Sequence, residues 1–149
     1  MQVKNATVRE AHASQSEGSV YVDVRSIPEF AQGHPAGAVN VPLLHCDERT
    51  GQMIPNPDFV AVMKANFAAD QPLLIGCQVG GRSAQAAQIL VASGFDTVTN
   101  VLGGYSGERD PMTGGLRAEG WVQADLPSEP EQMPGTSYRE LAAKSGRGH

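Results

Sequence analysis

A chain of 149 residues is long enough for one domain with a buried core and too short for two domains of ordinary size. Its 16 acidic and 11 basic residues give a net charge of −5, and neither sign forms the block that nucleic acid or a lipid surface would attract. No stretch approaches the roughly 20 apolar residues of a membrane span, and the N-terminus lacks the apolar segment of a secretory signal. We therefore predict a soluble, cytoplasmic protein that binds neither nucleic acid nor membranes.

Strand and helix patterns alternate along the chain, which is typical of an α/β domain built on a mostly parallel sheet. Ser26 and Glu29 have the spacing of a capping box, so a short helix is expected to begin there. The elements predicted in the first half are a helix over 3–15, a strand over 20–24, a helix from 26 to the breaker at 33–35, a strand over 39–42, a long loop over 45–57 and a helix over 58–69.

The second half contains the most apolar strand pattern of the chain. Residues 73–75 are all apolar, as expected of a central strand that is covered on both faces. A loop with two glycines follows, and it leads into an Ala-rich helix over 82–93. A strand over 97–102 comes next, and the glycine pair at 103–104 is predicted to lead into a further helix.

Gly and Pro become frequent beyond residue 110, and the strand and helix pattern is lost. Only 138–144 retains the pattern of a short helix. We therefore predict one domain over 1–127 and a Pro-rich C-terminal tail over 128–149 that holds this helix.

Cys77 stands where the central strand ends and the glycine loop begins. Gly80 and Gly81 adopt positive φ easily, so they allow successive backbone N–H groups to point at one atom. The N-terminus of the following helix, at Arg82 and Ser83, adds partial positive charge. Because the thiolate is the nucleophilic form of cysteine, Cys77 is the predicted catalytic residue. Arg82 is predicted to favour the thiolate or to bind an incoming anion.

Three motifs resemble the rhodanese family of sulfurtransferases. The loop Cys-Gln-Val-Gly-Gly-Arg-Ser at 77–83 is similar to the family's active-site loop, Cys-x-x-Gly-x-Arg-Ser. The other two motifs are the N-terminal signature, in the segments 21–25, 28–30 and 33–42, and the glycine-rich segments 94–95 and 100–105. The resemblance covers roughly 7–105. It implies a rhodanese-like three-layer domain with a central, mostly parallel five-stranded sheet and helices on both faces.

The resemblance further implies a double-displacement reaction. The Cys77 thiolate would attack a sulfane donor such as thiosulfate, and the resulting persulfide would pass its sulfur to cyanide or a thiol. Such a reaction requires no metal and no cofactor, and none is predicted. The implied substrate-binding loop comprises Gln78, Val79, Gly80, Gly81, Arg82 and Ser83.

Asp23 and Arg25 end a strand that should lie beside the Cys77 loop, because ligands gather at the carboxyl ends of parallel strands. We predict a supporting role for both, through an ion pair that fixes the loop; by analogy with the family, Asp23 would brace the loop directly. Trp121 follows the glycine pair later than in the family. The segment 108–120 therefore resembles an insertion near the edge of the site.

Other functions remain open at this stage. A protein-partner sulfur carrier in a persulfide relay would use the same cysteine. Rhodanese-related phosphatases and arsenate reductases place five residues between Cys and Arg; here there are four, which suits a single sulfur better. The run 76–83 matches a phosphate-binding loop only if Arg replaces Lys. A non-catalytic binding module would have no chemical reason to keep Cys77. The two cysteines and four histidines show no metal-ligand spacing.

Overall fold

The computed structural model describes residues 3–47, 49–78, 81–129 and 135–144, in which strands and helices alternate. The strands are β1 (Lys4–Ala6), β2 (Val20–Asp23), β3 (His34–Pro35), β4 (Val39–Asn40), β5 (Leu44–Cys46), β6 (Met53–Pro55), β7 (Leu73–Gly76), β8 (Val98–Val101), β9 (Glu108–Arg109), β10 (Leu116–Ala118) and β11 (Ser128–Glu129). The helices are α1 (Val8–Ser16), α2 (Ile27–Gln32), α3 (Phe59–Asn66), α4 (Gly81–Ala92) and α5 (Tyr138–Lys144).

The central sheet has five parallel strands in the order β1-β8-β7-β2-β4. β7 lies in the middle and is buried throughout, as predicted from its apolar run. Its side chains alternate between the faces: Leu73 and Ile75 pack with α3, α4 and α5, whereas Leu74 packs with α1 and Trp121. The predicted α/β fold, with a five-stranded sheet between two helical layers, is therefore confirmed.

The parallel arrangement brings two predicted site segments to one edge of the sheet. β2 pairs with β7 in a register that sets Asp23 opposite Gly76. Both strands end at this level. The segment that leads from β2 to Arg25 and the segment that leads from β7 to Cys77 therefore begin side by side. The sheet itself thus positions the candidate site at its carboxyl edge.

The first predicted helix began too early. Lys4–Ala6 form an edge strand paired with β8, and α1 begins only at Val8. Thr7 and Glu10 form a capping box: the Glu10 N–H donates to Thr7 Oγ1 at 3.1 Å, and the Thr7 N–H donates to Glu10 Oε1 at 2.8 Å. This cap fixes the start of the helix and leaves the preceding residues extended.

The predicted loop over 45–57 contains a small hairpin instead. β5 pairs antiparallel with β6, with His45 opposite Ile54. The strands have three residues each and β6 is exposed, so no apolar alternation signals them in the sequence.

The helix predicted after residues 103–104 is wrong. Gly103 and Gly104 have φ of +82° and +56°, and the chain continues in turns. The carbonyl groups of Gly104 and Tyr105 accept from the backbone N–H groups of Trp121 and Val122, and not from N–H groups four residues further along as in a helix.

The segment 108–120, predicted to be an insertion, contains the antiparallel pair β9–β10. In the predicted tail, Leu141 and Ala142 of α5 are buried in the core cluster that includes α3. The domain boundary at residue 127 stays a prediction.

Candidate active site

Cys77 follows β7 directly and is only 2% exposed. The residue before it must be glycine, because a Cβ at Gly76 would overlap the hydroxyl group of buried Tyr21. Burial raises the pKa of Tyr21 well above its usual value, and the neighbouring Asp23 carboxylate raises it further. The cysteine thus sits on a rigid strand end, beside a phenol that stays protonated.

The sulfur of Cys77 lies against the first turn of α4. The Ser83 backbone N–H donates to Sγ at 3.3 Å, and the Cys77 thiol donates to Ser83 Oγ at the same distance. N–H groups in the first turn of a helix have no partner within the helix, so this donor is available to an anionic sulfur. The start of α4 therefore supplies a positive electrostatic environment for Cys77.

Side-chain amides of β8 and β1 hold Ser83 in place. Its hydroxyl donates to Asn100 Oδ1 at 2.6 Å, and Asn100 Nδ2 donates to Asn5 Oδ1 at 3.3 Å. Sequence reasoning missed both asparagines. The available signal was a polar residue, Asn100, within the apolar strand β8.

Of the residues predicted to form the loop, Val79 and Gly80 lie outside the described residues. Gly81 is the first residue of α4 and is not among the residues with positive φ. The expectation that Gly81 turns in the left-handed region is therefore wrong, because the helix begins one residue earlier than predicted.

The guanidinium group of Arg82 forms an ion pair with Glu29. Its Nη1 and Nη2 donate to Glu29 Oε1 and Oε2 at 2.7 and 2.9 Å. Partial burial disfavours the charged form of Glu29, but hydrogen bonds from Arg82 and Ser26 outweigh it and lower the pKa of Glu29 to about 2. The Glu29 carboxylate therefore stays charged at neutral pH. It binds the guanidinium group of Arg82, which was predicted to bind an incoming anion.

Asp23 and Arg25 form a buried ion pair, as the sequence suggested, but Arg25 is the residue that contacts the loop. Arg25 Nη2 donates to Asp23 Oδ2 at 2.7 Å and to the Gly33 carbonyl at 2.6 Å. Its Nη1 donates to Gln78 Oε1 at 3.0 Å, and the guanidinium lies 4.6 Å from the centre of the Tyr105 ring. Asp23 orients Arg25, and Arg25 in turn holds Gln78.

The turn after β8 supports the Cys77 segment from behind. The backbone N–H groups of Tyr105 and Ser106 donate to the carbonyls of Cys77 and Gln78 at 2.8 and 3.0 Å. The Gln78 side-chain amide also hydrogen bonds to the Ser106 hydroxyl. A Cβ at Gly104 would overlap both carbonyl oxygens. The glycine pair, predicted to start a helix, instead allows two backbone segments to approach closely.

Two cavities adjoin the Cys77 turn and share Glu29 and Gln32 in their walls. One, of about 280 Å³, includes Gln78, Arg25 and Tyr105. The other, of about 390 Å³, includes Arg82 and the partly buried Cys46 of β5. Open space therefore borders Gln78 on one side of the turn and Arg82 on the other.

In the described part of the chain, no cluster of His, Cys, Asp and Glu side chains could hold a metal ion. Over the same residues, no helix is long and apolar enough to cross a membrane. Trp121 is fully buried, and its indole N–H donates to the Pro127 carbonyl at 2.6 Å, so it has a packing role.

The chain is similar to proteins of known family. A family model described as Rhodanese-like domain matches residues 7–108. Thiosulfate sulfurtransferase 16, chloroplastic, of Arabidopsis thaliana is 39% identical over 102 residues, which are 68% of this chain and 83% of that protein. The mitochondrial protein HIGH ARSENIC CONTENT 1 of the same plant is 36% identical over 104 residues, which are 70% of this chain and 60% of that protein.

Among solved structures, the crystal structure of Rv0390 from M. tuberculosis superposes with a TM-score of 0.71 at 27% identity, covering 87% of this chain and 99% of that one. The chain spans only 52% to 60% of the length of several curated relatives.

Proposed function

Because the chain belongs to the rhodanese-like domain family, we propose that it is a sulfurtransferase in which Cys77 accepts a sulfane sulfur as a persulfide and passes it to a thiophilic acceptor. The observation that carries this proposal is the position of Cys77 Sγ, 3.3 Å from the Ser83 N–H at the start of α4. This donor stabilises negative charge on the Sγ of the Cys77 thiolate.

The chemistry needs two displacements and no general base. The thiolate attacks the outer sulfur of the donor, and the donor's S–S bond breaks with its electron pair on the leaving group. The acceptor nucleophile then attacks the outer sulfur of the Cys77 persulfide and regenerates the thiolate. Thiosulfate and cyanide are the proposed assay donor and acceptor, and neither step uses a metal or a cofactor. A protein persulfide partner would enter the same cycle as donor or acceptor. We expect this cycle to run in the cytoplasm.

Arsenate or phosphate-ester chemistry is the alternative that the Cys77 loop also brings into question, and one relative is named HIGH ARSENIC CONTENT 1. A tetrahedral oxyanion is bound best by a guanidinium that offers two parallel N–H donors. Here both terminal nitrogens of Arg82 are held by Glu29, and only four residues separate Cys77 from Arg82. The geometry therefore favours sulfur transfer.

Turnover of thiosulfate and cyanide to thiocyanate tests the proposal. We expect Cys77→Ser to abolish thiocyanate formation, because a hydroxyl group cannot carry the sulfane sulfur. Cys46→Ser is the control for the identity of the sulfur-carrying cysteine. It should still form thiocyanate from thiosulfate, because Cys46 lies in the wall of the adjoining cavity and is not the proposed sulfur acceptor. Arsenate reduction or phosphate-ester hydrolysis that depends on Cys77, without sulfur transfer from any sulfane donor, would contradict the proposal.

A further inference from the structure

We propose that Glu29 determines donor specificity at this site: its carboxylate neutralises Arg82 and directs the site toward organic persulfides rather than thiosulfate. The inference rests on the sulfurtransferase function proposed above and names the class of donor. The inference starts from the ion pair between Glu29 and Arg82. Arg82 is next to Ser83, whose backbone N–H binds the sulfur of Cys77.

The Glu29 carboxylate is a fixed part of the site. Its Oε1 accepts hydrogen bonds from the Ser26 backbone N–H at 3.1 Å, the Ser26 hydroxyl at 2.8 Å and Arg82 Nη1 at 2.7 Å. Its Oε2 accepts from Arg82 Nη2 at 2.9 Å. The side chains of Arg82 and Glu29 are 21% and 32% exposed. Because Glu29 is held from two sides, an incoming anion would have to compete with a preformed bidentate pair.

The second arginine beside the turn is neutralised in the same way. Arg25 is 3% exposed and pairs with Asp23, and its remaining terminal nitrogen donates to Gln78. Thus, among the described residues, both Arg82 and Arg25 are paired with a carboxylate beside the turn. Thiosulfate is a dianion that must approach a thiolate, and paired arginines offset little of that repulsion. An organic persulfide brings at most one negative charge to the same place.

The larger cavity fits the organic part of such a donor. It has a volume of about 390 Å³, and Pro28, Cys46 and Met53 give it apolar surface between Ser26 and Arg82. This volume is within the range of cavities that hold small organic ligands. The sulfite group of thiosulfate makes no use of apolar surface, whereas a carbon chain does.

Both donors would yield the same covalent intermediate. With thiosulfate, the Cys77 thiolate attacks the outer sulfur and sulfite leaves with the electron pair of the S–S bond. With an organic persulfide R–S–SH, attack on the terminal sulfur releases R–S⁻, and the proton stays on the new Cys77 persulfide. Donor selectivity therefore arises from binding and charge before the common intermediate is formed.

The test is Glu29→Gln, measured with thiosulfate and with an alkyl hydropersulfide released in situ from a protected precursor, with cyanide as acceptor. Glutamine keeps an oxygen for Ser26 in the capping box but removes the charge that neutralises Arg82. We expect kcat/KM for thiosulfate to rise about tenfold, and that for the alkyl hydropersulfide to change less than about twofold. Arg82→Gln in the Glu29→Gln background should abolish the rise.

Glu17→Gln is the matched control, because Glu17 is exposed at the end of α1, near the opposite edge of the sheet. It should leave both donors unchanged. Salt dependence gives a second readout. In the wild type, where no variant has to fold, kcat/KM for thiosulfate should not fall as the salt concentration is raised. In Glu29→Gln it should fall.

Equal changes with both donors in Glu29→Gln, or a wild-type thiosulfate rate that falls steeply with salt, would overturn the inference while leaving the sulfurtransferase function in place. If neither donor loads sulfur onto wild-type Cys77, both the inference and the sulfurtransferase function are overturned.

Discussion

Replacing Arg25 with alanine is expected to destabilise the protein by about 3–5 kcal/mol, the usual cost of leaving a buried charge without its partner. Asp23 is 1% exposed and would lose the guanidinium that binds both its oxygens. The Gly33 carbonyl would lose its donor, and Gln78 would lose its contact with the strand end. We expect sulfur transfer to fall as well, because Gln78 adjoins Cys77. Urea unfolding and thiocyanate formation measure the two effects.

An exposed ion pair provides the matched control for this prediction. Arg9 binds Glu119 at 2.6 Å, but its side chain is 62% exposed. Arg9→Ala should therefore lower stability far less than Arg25→Ala does. The double variant Asp23→Asn/Arg25→Met should be less destabilised than Arg25→Ala, since it leaves no buried charge unpaired. A cost below about 1 kcal/mol for Arg25→Ala would show that the buried pair does not hold the site together.

Gly104→Ala is expected to lower stability by about 2–4 kcal/mol and kcat/KM by tenfold or more. The new Cβ would overlap the carbonyl oxygens of Cys77 and Gln78, and neither backbone group can rotate away as a side chain would. The residue would also be held at a φ of +56°, which disfavours alanine. Relief of the overlap would move Cys77 relative to the Ser83 N–H, and small displacements of a reacting group are costly in rate.

Gly114→Ala separates the two contributions. Gly114 has a φ of +75°, but a Cβ there would meet no atom within 4 Å. It should cost about 1–2 kcal/mol in stability and leave the rate unchanged. If Gly104→Ala behaved in the same way, the close contact behind Cys77 would have no part in positioning the sulfur.

The central part of the fold was predictable because its signals are local. The apolar run of β7 and the capping box at Ser26 and Glu29 each lie within a few residues, and the structure contains both. The edge strand β1 was missed because its pairing with β8 links residues 95 positions apart, such as Asn5 and Asn100. Three residues paired at such a distance leave no periodic pattern in their own sequence.

At the candidate site, the sequence indicated which residues come together but not how they pair. Glu29 was interpreted only as a helix cap, although the same carboxylate also binds Arg82, 53 positions away. Likewise Arg25 reaches Gln78 across 53 positions. Long side chains can point in several directions from one backbone position. The partner of a charged group therefore depends on which strands are neighbours in the sheet.

The most direct test of the proposed mechanism is the intact mass of the reduced protein after incubation with a sulfane donor, either thiosulfate or an alkyl hydropersulfide. We expect a gain of one sulfur atom per chain in the wild type and in Cys46→Ser, located on the peptide that contains Cys77 and removed by cyanide as thiocyanate. Cys77→Ser should gain none. A wild type that takes up no sulfur from either donor, or that takes it up elsewhere than at Cys77, would contradict the proposed mechanism.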